Sequence, residues 1–159
     1  MKTCQALYSV TQIRQIEAAF EAAFADQTPL MQRAADSIAQ HVINMPEMPD
    51  NKASLAILVL VGNGNNGGDG IVAALGLQQR GFKAAIVFGF ALHTIKHPIA
   101  LTAYQAYVAL GGVTLTQAEA SAAMARDEFY IIVDALFGIG ITMRAKPIDS
   151  ALYSFIAML

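Results

Sequence analysis

Cysteine is almost absent from this sequence of 159 residues, in which Cys4 stands alone. One thiol cannot form a disulfide framework or a cysteine-based zinc site, and it suits a reducing compartment. Long apolar runs are also missing. No stretch reaches the roughly 18 residues of a membrane span, and the start has no signal-peptide h-region. From these absences we expect a cytoplasmic protein with no membrane partner.

Charged residues are scarce as well, at 14% of the chain, and the formal net charge is −2. This balance argues against a basic nucleic-acid-binding face, so no nucleic acid partner is expected. Hydrophobic residues reach 55%, more than in an average globular chain. Such a composition suits a sheet covered on both faces, or a surface that loses area to a partner. The length is enough for one domain with a sizeable core and too short for two.

The most informative stretch, residues 55–82, has the pattern of a buried strand, a turn rich in glycine and asparagine, and a helix. Residues 55–61 are an uninterrupted apolar run, typical of a parallel strand covered by helices on both faces. The turn at 62–70 contains five glycines, which can adopt positive φ and bring N–H groups close to a ligand. The helix is predicted to begin near Asp69, run to about Arg80 and stop at Gly81.

A helix N-terminus that faces a glycine-lined hollow is a ready site for an anion. The alternative is a tight turn without a ligand, but such a turn has no need for three asparagines and an aspartate. The turn contains G-x-G-x-x-G at Gly62, Gly64 and Gly67. The segment 83–90, which contains the second predicted strand, nevertheless ends without the Asp or Glu that holds a ribose in the dinucleotide-binding fingerprint. Gly-Lys-Ser/Thr is also missing, so an ordinary Rossmann dehydrogenase and a P-loop protein are disfavoured.

Two helices are predicted before this stretch. In the first, from about Thr11 to Phe24, the apolar stripe consists of Ile13, Ile16, Phe20 and Phe24. The second begins with Thr28 as N-cap and Pro29 as the first helical residue. Its apolar face consists of Leu30, Ala34, Ile38 and Val42. The aromatic and methionine residues of this region fit a core or a dimer surface better than a cofactor site.

After residue 82 the pattern alternates between strands and helices. Strands are predicted at 84–88, 113–115 and 130–133, and helices at 98–110, 118–126 and 148–159. Alternation of this kind gives a parallel sheet between helical layers. We therefore expect an α/β, three-layer α-β-α, Rossmann-like fold with a mainly parallel sheet and two leading helices. On such sheets ligands bind beyond the carboxyl ends of the strands. The glycine-rich stretch at 62–74 and the stretch at 133–142 lie at such strand ends.

The loop at 91–98 holds His93, Lys96 and His97. Two histidines four residues apart can bind a metal on one helical face. Pro98 follows directly and no third ligand is evident, so a solvated helix start is the favoured interpretation.

Two sequence blocks carry a family resemblance: GNGNNGGDGIVAA at 62–74 and VDALFGIGIT at 133–142. On these blocks the chain resembles the YjeF N-terminal domain family, the NAD(P)H-hydrate epimerases. The segment LMQRAA at 30–35 is similar to the family's Leu-Met-x-x-Ala-Gly, with Ala35 in place of the glycine.

The resemblance implies a substrate and a set of residue roles. The substrate is NADH or NADPH hydrated at C6 of the nicotinamide ring, and the reaction interconverts its R and S epimers in metabolite repair. The implied substrate-binding segment is Asn65, Asn66, Gly67, Gly68 and Asp69, and the second, phosphate-facing loop is Gly138, Ile139, Gly140, Ile141, Thr142, Met143 and Arg144. Asn66 and Asp134 match ligands of a potassium ion. Asp69 and Asp134 are the implied catalytic carboxylates.

Several roles stay open at this level. Asp69 fits an acid-base group and also a helix N-cap, and the two are compatible. Asp134 fits a ligand or a plain strand-end residue. Arg144 fits a phosphate contact and a surface charge equally.

The family domain continues beyond the last residue of this sequence with another strand and an Asp-x-Pro-Ser-Gly block. We therefore expect a single domain over residues 1–159 that is truncated at its C-terminal end. A missing strand exposes apolar surface and an unpaired edge, which favours a homodimer. The alternative function is a non-catalytic nucleotide- or protein-binding scaffold module on the same fold. The retained Asn-Asn-Gly-Gly-Asp block and Asp134 favour the enzyme.

Overall fold

The computed structural model describes residues 7–24, 28–46, 56–90, 95–139 and 154–157. Two helices lead the chain, and alternating strands and helices follow. In order, the elements are α1 (Val10–Ala23), α2 (Leu30–Ile43), β1 (Ala56–Val61), α3 (Asn65–Gln79), β2 (Ala84–Phe88), α4 (Pro98–Ala109), β3 (Val113–Leu115), α5 (Gln117–Met124) and β4 (Phe129–Ala135).

The described strands form one parallel sheet in the order β3-β2-β1-β4. Strand β1 lies between β2 and β4, and every residue from Ile57 to Val61 is fully buried. The apolar run is buried on both faces because alternate side chains of a strand point to opposite sides of the sheet. The predicted α/β three-layer fold is confirmed.

The two faces of β1 contribute to two separate cores. Ile57, Val59 and Val61 pack with residues of α2, α3 and α4. Leu58 and Leu60 pack on the other face, with residues of α5 and of the segment 154–157. Of the predicted closing helix, only this segment is described; it is helical at 154–156, and Phe155 is buried.

Helix α3 begins at Asn65, four residues before the predicted start at Asp69. Its N-cap is Gly64, in extended conformation, and the glycine-rich block lies inside the helix. Positive φ is not the reason for these glycines, since the described glycines with positive φ are Gly81 and Gly111. Both of these follow helices that were predicted to stop there, and those stops are confirmed.

Close backbone approach explains the glycines of the block instead. A Cβ on Gly67 would lie 2.0 Å from the carbonyl oxygen of Gly62. A Cβ on Gly70 would lie 2.7 Å from Cβ of Ala135 on β4. Helix α3 therefore packs directly on the turn that precedes it and on the sheet.

The buried face of α2 differs from the prediction by one residue. Met31, Ala35 and Ala39 are buried together with Val42, whereas the predicted Leu30, Ala34 and Ile38 are partly exposed. Small side chains let α2 approach α3, because Cβ of Ala39 lies 3.8 Å from the position of a Cβ on Gly76. The N-cap is Pro29 rather than Thr28, with no side-chain hydrogen bond at the cap.

Helix α1 contributes no buried residue. Of its predicted apolar stripe, Ile16 is 49% exposed, and Phe24, which lies just beyond the helix end, is 44% exposed. The ring of Phe20 lies 4.7 Å from that of Phe24, and the guanidinium of Arg33 lies 5.1 Å from the Phe20 centroid. The stripe is therefore not part of the described core.

The remaining elements match the prediction to within two residues at each end. Strand β4 runs from Phe129 to Ala135, so Asp134 lies inside the strand rather than after it. Helix α5 begins one residue early because Thr116 and Glu119 form a capping box. No helix in the described part of the chain is long and apolar enough to cross a bilayer.

Candidate functional site

The two sequence blocks meet at the carboxyl ends of β1 and β4. These strands are adjacent and parallel, with Leu60 paired to Asp134 and Val61 to Ala135. The amide of Gly62 extends the pairing by donating to the carbonyl oxygen of Ala135 at 3.0 Å. The chain leaves β1 towards β2 and returns to β4 on the other side, so the strand order reverses here. Ligands of open α/β sheets bind at such a reversal point.

The side chain of Asn66 joins the blocks. Its Nδ2 donates to the carbonyl oxygen of Phe137 at 3.1 Å. A carbonyl oxygen can only accept, so the amide nitrogen must face it, and the amide oxygen Oδ1 is left for another partner. A Cβ on Gly138 would lie 3.0 Å from Cβ of Asn66, and one on Gly62 would lie 1.8 Å from the carbonyl oxygen of Leu136. Glycine at both positions lets the two loops touch.

Asp69 lies one turn beyond Asn66 on α3. It is part-buried, and that burial, together with the nearby negative charge of Glu17 on α1, raises the pKa of Asp69 to about 6. The N-cap role predicted as an alternative is wrong, because Gly64 occupies that position. Residues three apart on a helix share a face, so Asp69 lies on the side of α3 that carries Asn66. A carboxyl group with a pKa near 6 can both give and take a proton close to neutral pH.

Asp134 is the second-to-last residue of β4, and its side chain is exposed. Its Oδ1 accepts a hydrogen bond of 2.9 Å from the amide of Leu136, which shapes the turn after the strand. The neighbouring Ala135 faces Gly70 of α3. Because strand side chains alternate, Asp134 points to the opposite face of the sheet.

A cavity of about 240 Å³ lies between the glycine turn that follows β1 and the start of α4, the helix that follows β2. We call it the β1–β2 pocket. Its lining consists of Gly62, Asn63, Gly64, Asn65, Gly68, Ile71, Ile95, Lys96, His97, Pro98 and Ala100. Lys96 and His97 were predicted at a solvated helix start, and their place in the wall of this pocket was not predicted. The usable signal was the order of the elements, since parallel β1 and β2 bring the starts of α3 and α4 to one edge.

Part of the predicted site lies outside the described residues. These positions are Gly140, Ile141, Thr142, Met143 and Arg144. His93, which could bind a metal together with His97, also lies outside the described residues. Ile139 is described and is 53% exposed. The described ranges contain no group of three or more His, Cys, Asp or Glu side chains that could hold a metal ion.

Comparison with known proteins gives a family match and several relatives. The family model described as YjeF-related protein N-terminus matches residues 27–158. An NAD(P)H-hydrate epimerase of Bordetella pertussis (strain Tohama I) is 34% identical over 142 residues, which are 89% of this chain and 56% of that protein. A bifunctional NAD(P)H-hydrate repair enzyme Nnr of Hyperthermus butylicus is 31% identical over 119 residues, 74% of this chain and 21% of that protein.

Among solved structures, the yeast protein ynu0 (YNL200c) has a similar fold. The TM-score is 0.76 at 20% sequence identity, over 97% of this chain and 64% of the yeast chain. This chain thus spans little more than half the length of the Bordetella relative that it matches.

Proposed function

This chain belongs to the YjeF-related protein N-terminus family, and from that premise we propose that it is the substrate-binding part of an NAD(P)H-hydrate epimerase. The proposed reaction interconverts the R and S epimers of NADH or NADPH hydrated at C6 of the nicotinamide ring. The names of the Bordetella and Hyperthermus relatives support this substrate. The observation that carries the proposal is the hydrogen bond from Asn66 to Phe137, which holds the two family blocks together at the reversal point of the sheet.

The hydrate is a hemiaminal, and its epimerisation requires proton transfer at two oxygens, that of the leaving hydroxyl and that of the returning water. The lone pair of the ring nitrogen expels the C6 hydroxyl, which must be protonated to leave as water. Water then adds to the opposite face of the resulting iminium ion and loses a proton. A carboxyl group on one face of the ring can protonate the hydroxyl that leaves from that face, and in the reverse direction it deprotonates the water that adds there. Asp69 supports this role because its pKa is raised to about 6 and it lies beside the Asn66 contact.

The start of α3 supplies donors for the substrate. The first intrahelical bond of the block runs from the amide of Gly68 to the carbonyl oxygen of Gly64 at 3.1 Å. In a helix the N–H groups before this bond have no intrahelical partner, so those of Asn65, Asn66 and Gly67 are directed out of the helix start. We propose that they bind the substrate together with the loop at 138–144.

We propose a potassium ion as cofactor, with Asn66 and Asp134 as ligands. The donor chemistry fits, because the oxygen Oδ1 of Asn66 and the carboxylate of Asp134 are ligands that a hard cation prefers. No described lysine or arginine forms an ion pair with Asp134, so its charge is not neutralised within the described ranges. The ion would offset the charge of substrate phosphates and order the two loops.

We also propose that the protein is a cytoplasmic homodimer that binds neither nucleic acid nor membrane. Exposed apolar side chains support the dimer: Tyr130 and Ile132 on β4 are 60% and 42% exposed, and Ile16 on α1 is 49% exposed. Within the described sheet β4 is an edge strand, which favours pairing with another chain. The single cysteine and the net charge of −2 support the compartment and the lack of nucleic acid.

The test is epimer interconversion from a pure R-hydrate sample, with potassium present and chromatography as the readout. The chain is compared with a version extended by the sequence that follows it in the relatives. We expect conversion by the extended version, and loss of that conversion in its Asp69→Asn variant. Dinucleotide binding without conversion in either version would instead establish the non-catalytic binding module.

A further inference from the structure

Two exposed phenylalanine rings lie against each other at the carboxyl end of the sheet. Phe90 follows β2 and Phe137 follows β4, the two strands that flank β1. The ring centroids are 6.5 Å apart and the interplanar angle is 82°, an edge-to-face arrangement. Phe90 is 36% exposed and Phe137 is 38% exposed. The two rings therefore meet across the end of β1 and still present apolar surface to solvent.

Hydrogen bonds hold the two loops that carry these rings. The amide of Gly89 donates to the carbonyl oxygen of Val61 at 2.9 Å, which ties the residue before Phe90 to the end of β1. The carbonyl oxygen of Phe137 accepts the bond from Asn66 at the start of α3. The rings thus belong to the same surface as the proposed substrate-binding segment. Surface that is held in place before binding loses less entropy when a ligand arrives.

The place of this pair indicates a flat ligand. A single exposed ring needs no explanation, since apolar side chains are scattered over every protein surface. Here two rings are in contact at the strand ends, beyond which ligands of open α/β sheets bind. Aromatic side chains at such sites hold nucleotide bases by stacking.

The position of Phe90 favours adenine as the base. In dinucleotide-binding sheets an acidic residue at the end of the second strand holds the adenosine ribose. Residues 83–90 include no Asp or Glu, and Phe90 lies at this end. A phenylalanine there cannot hold the ribose hydroxyls, but it can stack on the base that the ribose carries. The hydrated nicotinamide ring is a poorer partner, because its C6 is tetrahedral and the ring is no longer aromatic.

We propose that Phe90 is the stacking surface for the adenine ring of the dinucleotide, with Phe137 packed edge-on against it. This assignment rests on the proposed function, which supplies a dinucleotide. The remainder of the ligand then lies between the Phe90 ring and the Asn66 contact, where the proposed reaction takes place.

The stacking is tested by fluorescence, because the chain has no tryptophan. Phe90→Trp introduces a single indole at the proposed surface. We expect AMP to quench its fluorescence by stacking, and ribose 5-phosphate, which has no base, to leave it unchanged. Tyr130→Trp is the matched control, since Tyr130 is also an exposed aromatic residue but lies near the start of β4. Equal quenching of both variants by AMP would refute the site.

The contribution to affinity is tested by calorimetric titration of NAD⁺, AMP and nicotinamide mononucleotide. We expect Phe90→Ala to bind NAD⁺ and AMP about tenfold more weakly than the unmodified chain. Phe90→Tyr keeps the ring and should bind both within about twofold. Nicotinamide mononucleotide should bind all three chains alike, and thermal unfolding of the variants checks the fold. Loss confined to nicotinamide mononucleotide would overturn the adenine assignment.

Failure of this proposal and failure of the proposed function have different signatures. NAD⁺ bound equally by the unmodified chain and by Phe90→Ala would overturn the stacking site and leave the epimerase intact. AMP that quenches Phe90→Trp, without conversion of the hydrate by the extended version of the chain, would support the adenine site and overturn the proposed function.

Discussion

Asn66 and Phe137 are 71 residues apart in sequence, and the amide nitrogen of one lies 3.1 Å from the carbonyl oxygen of the other. Asn66 is the second residue of α3, and Phe137 follows β4. Together with the bond from the Gly62 amide to the carbonyl oxygen of Ala135, this bond joins two separate sequence blocks into one surface at the carboxyl ends of adjacent strands. It also fixes which end of the Asn66 amide is left for a ligand, because the carbonyl group occupies the nitrogen.

Removal of that bond should weaken both folding and binding. We expect Asn66→Ala to lower the free energy of unfolding by about 1 kcal/mol, the usual net value of one hydrogen bond. Urea denaturation measures this loss, and Asn63→Ala is the control because Asn63 lies in the same turn with an exposed side chain. An equal effect of both variants would show that the Phe137 contact does not stabilise the loops.

The close approach of Gly62 to the second block should be intolerant of a methyl group. A Cβ there would lie 1.8 Å from the backbone oxygen of Leu136, and backbone on both sides cannot move aside without breaking the strand pairing. We expect Gly62→Ala to cost about 3 kcal/mol or more of the free energy of unfolding.

Gly64→Ala is the matched control for that variant. A Cβ on Gly64 meets nothing within 4 Å, so the cost should stay near 1 kcal/mol, from the weaker N-cap alone. Chemical denaturation of both variants gives the comparison. Similar losses at the two positions would contradict the close-contact explanation of Gly62.

Much of the sheet could be predicted because its signals are local. The apolar run of β1 and the glycines after α3 and α4 each act within a few residues, and the structure has them where the sequence places them. The start of α3 could not be predicted in the same way. Glycine is a poor helix former, so Gly67 and Gly68 indicate a turn, and only the backbone contacts of α3 favour helix there.

The buried face of α2 and the β1–β2 pocket were missed for a related reason. Leu30, Ala34 and Ile38 form one apolar row of the helix, and Met31, Ala35 and Ala39 form the next. Periodicity does not choose between adjacent rows. The buried row is the one that contacts the glycines of α3, with Met31 beside Gly68 and Ala39 beside Gly76. Lys96 likewise reaches the glycine turn because β1 and β2 are neighbours, which no local pattern states.

Tyr107 should stabilise the end of the sheet where β2 and β3 begin, opposite the carboxyl ends of the strands. Its buried hydroxyl lies 2.6 Å from the carbonyl oxygen of Ala84 and 2.7 Å from that of Val113, at the starts of β2 and β3. Burial raises the pKa of Tyr107 well above its ordinary value, so the hydroxyl keeps its proton and remains a donor. We expect Tyr107→Phe to cost about 1–3 kcal/mol, since the single hydroxyl proton that these two carbonyl oxygens share is lost from a buried position.

The control for Tyr107 is Tyr104→Phe. The Tyr104 hydroxyl meets Oγ1 of Thr114 at 3.0 Å in a part-buried position, where water can replace it. This variant should cost less than 1 kcal/mol by the same denaturation experiment, about the value of one exposed hydrogen bond. A larger loss for Tyr104→Phe than for Tyr107→Phe would contradict the role of the two carbonyl contacts.

Glu17 should tune the ionisation of Asp69 from a different helix. Burial is the larger cause of the raised pKa of Asp69, and the negative charge of Glu17 adds to it. We expect Glu17→Gln to lower the pKa of Asp69 from about 6 but not to its ordinary value, because the burial remains. Carbon-detected NMR titration of the carboxyl group measures the shift, and Glu21→Gln, one turn further along α1, should leave it unchanged.

The same ionisation makes stability depend on pH. The pKa of Asp69 is raised from 3.8 to about 6 on folding, so the folded protein holds this proton more tightly than the unfolded chain. The resulting stabilisation is complete below pH 3.8 and is lost as the pH rises through 6. Relative to Asp69→Asn, the unmodified chain should therefore lose on the order of 1 kcal/mol between those values, a figure reduced for the partial exposure of the carboxyl group. Urea denaturation of both chains across this range tests the sign; a pH-independent difference would mean that Asp69 ionises as an ordinary surface carboxylate.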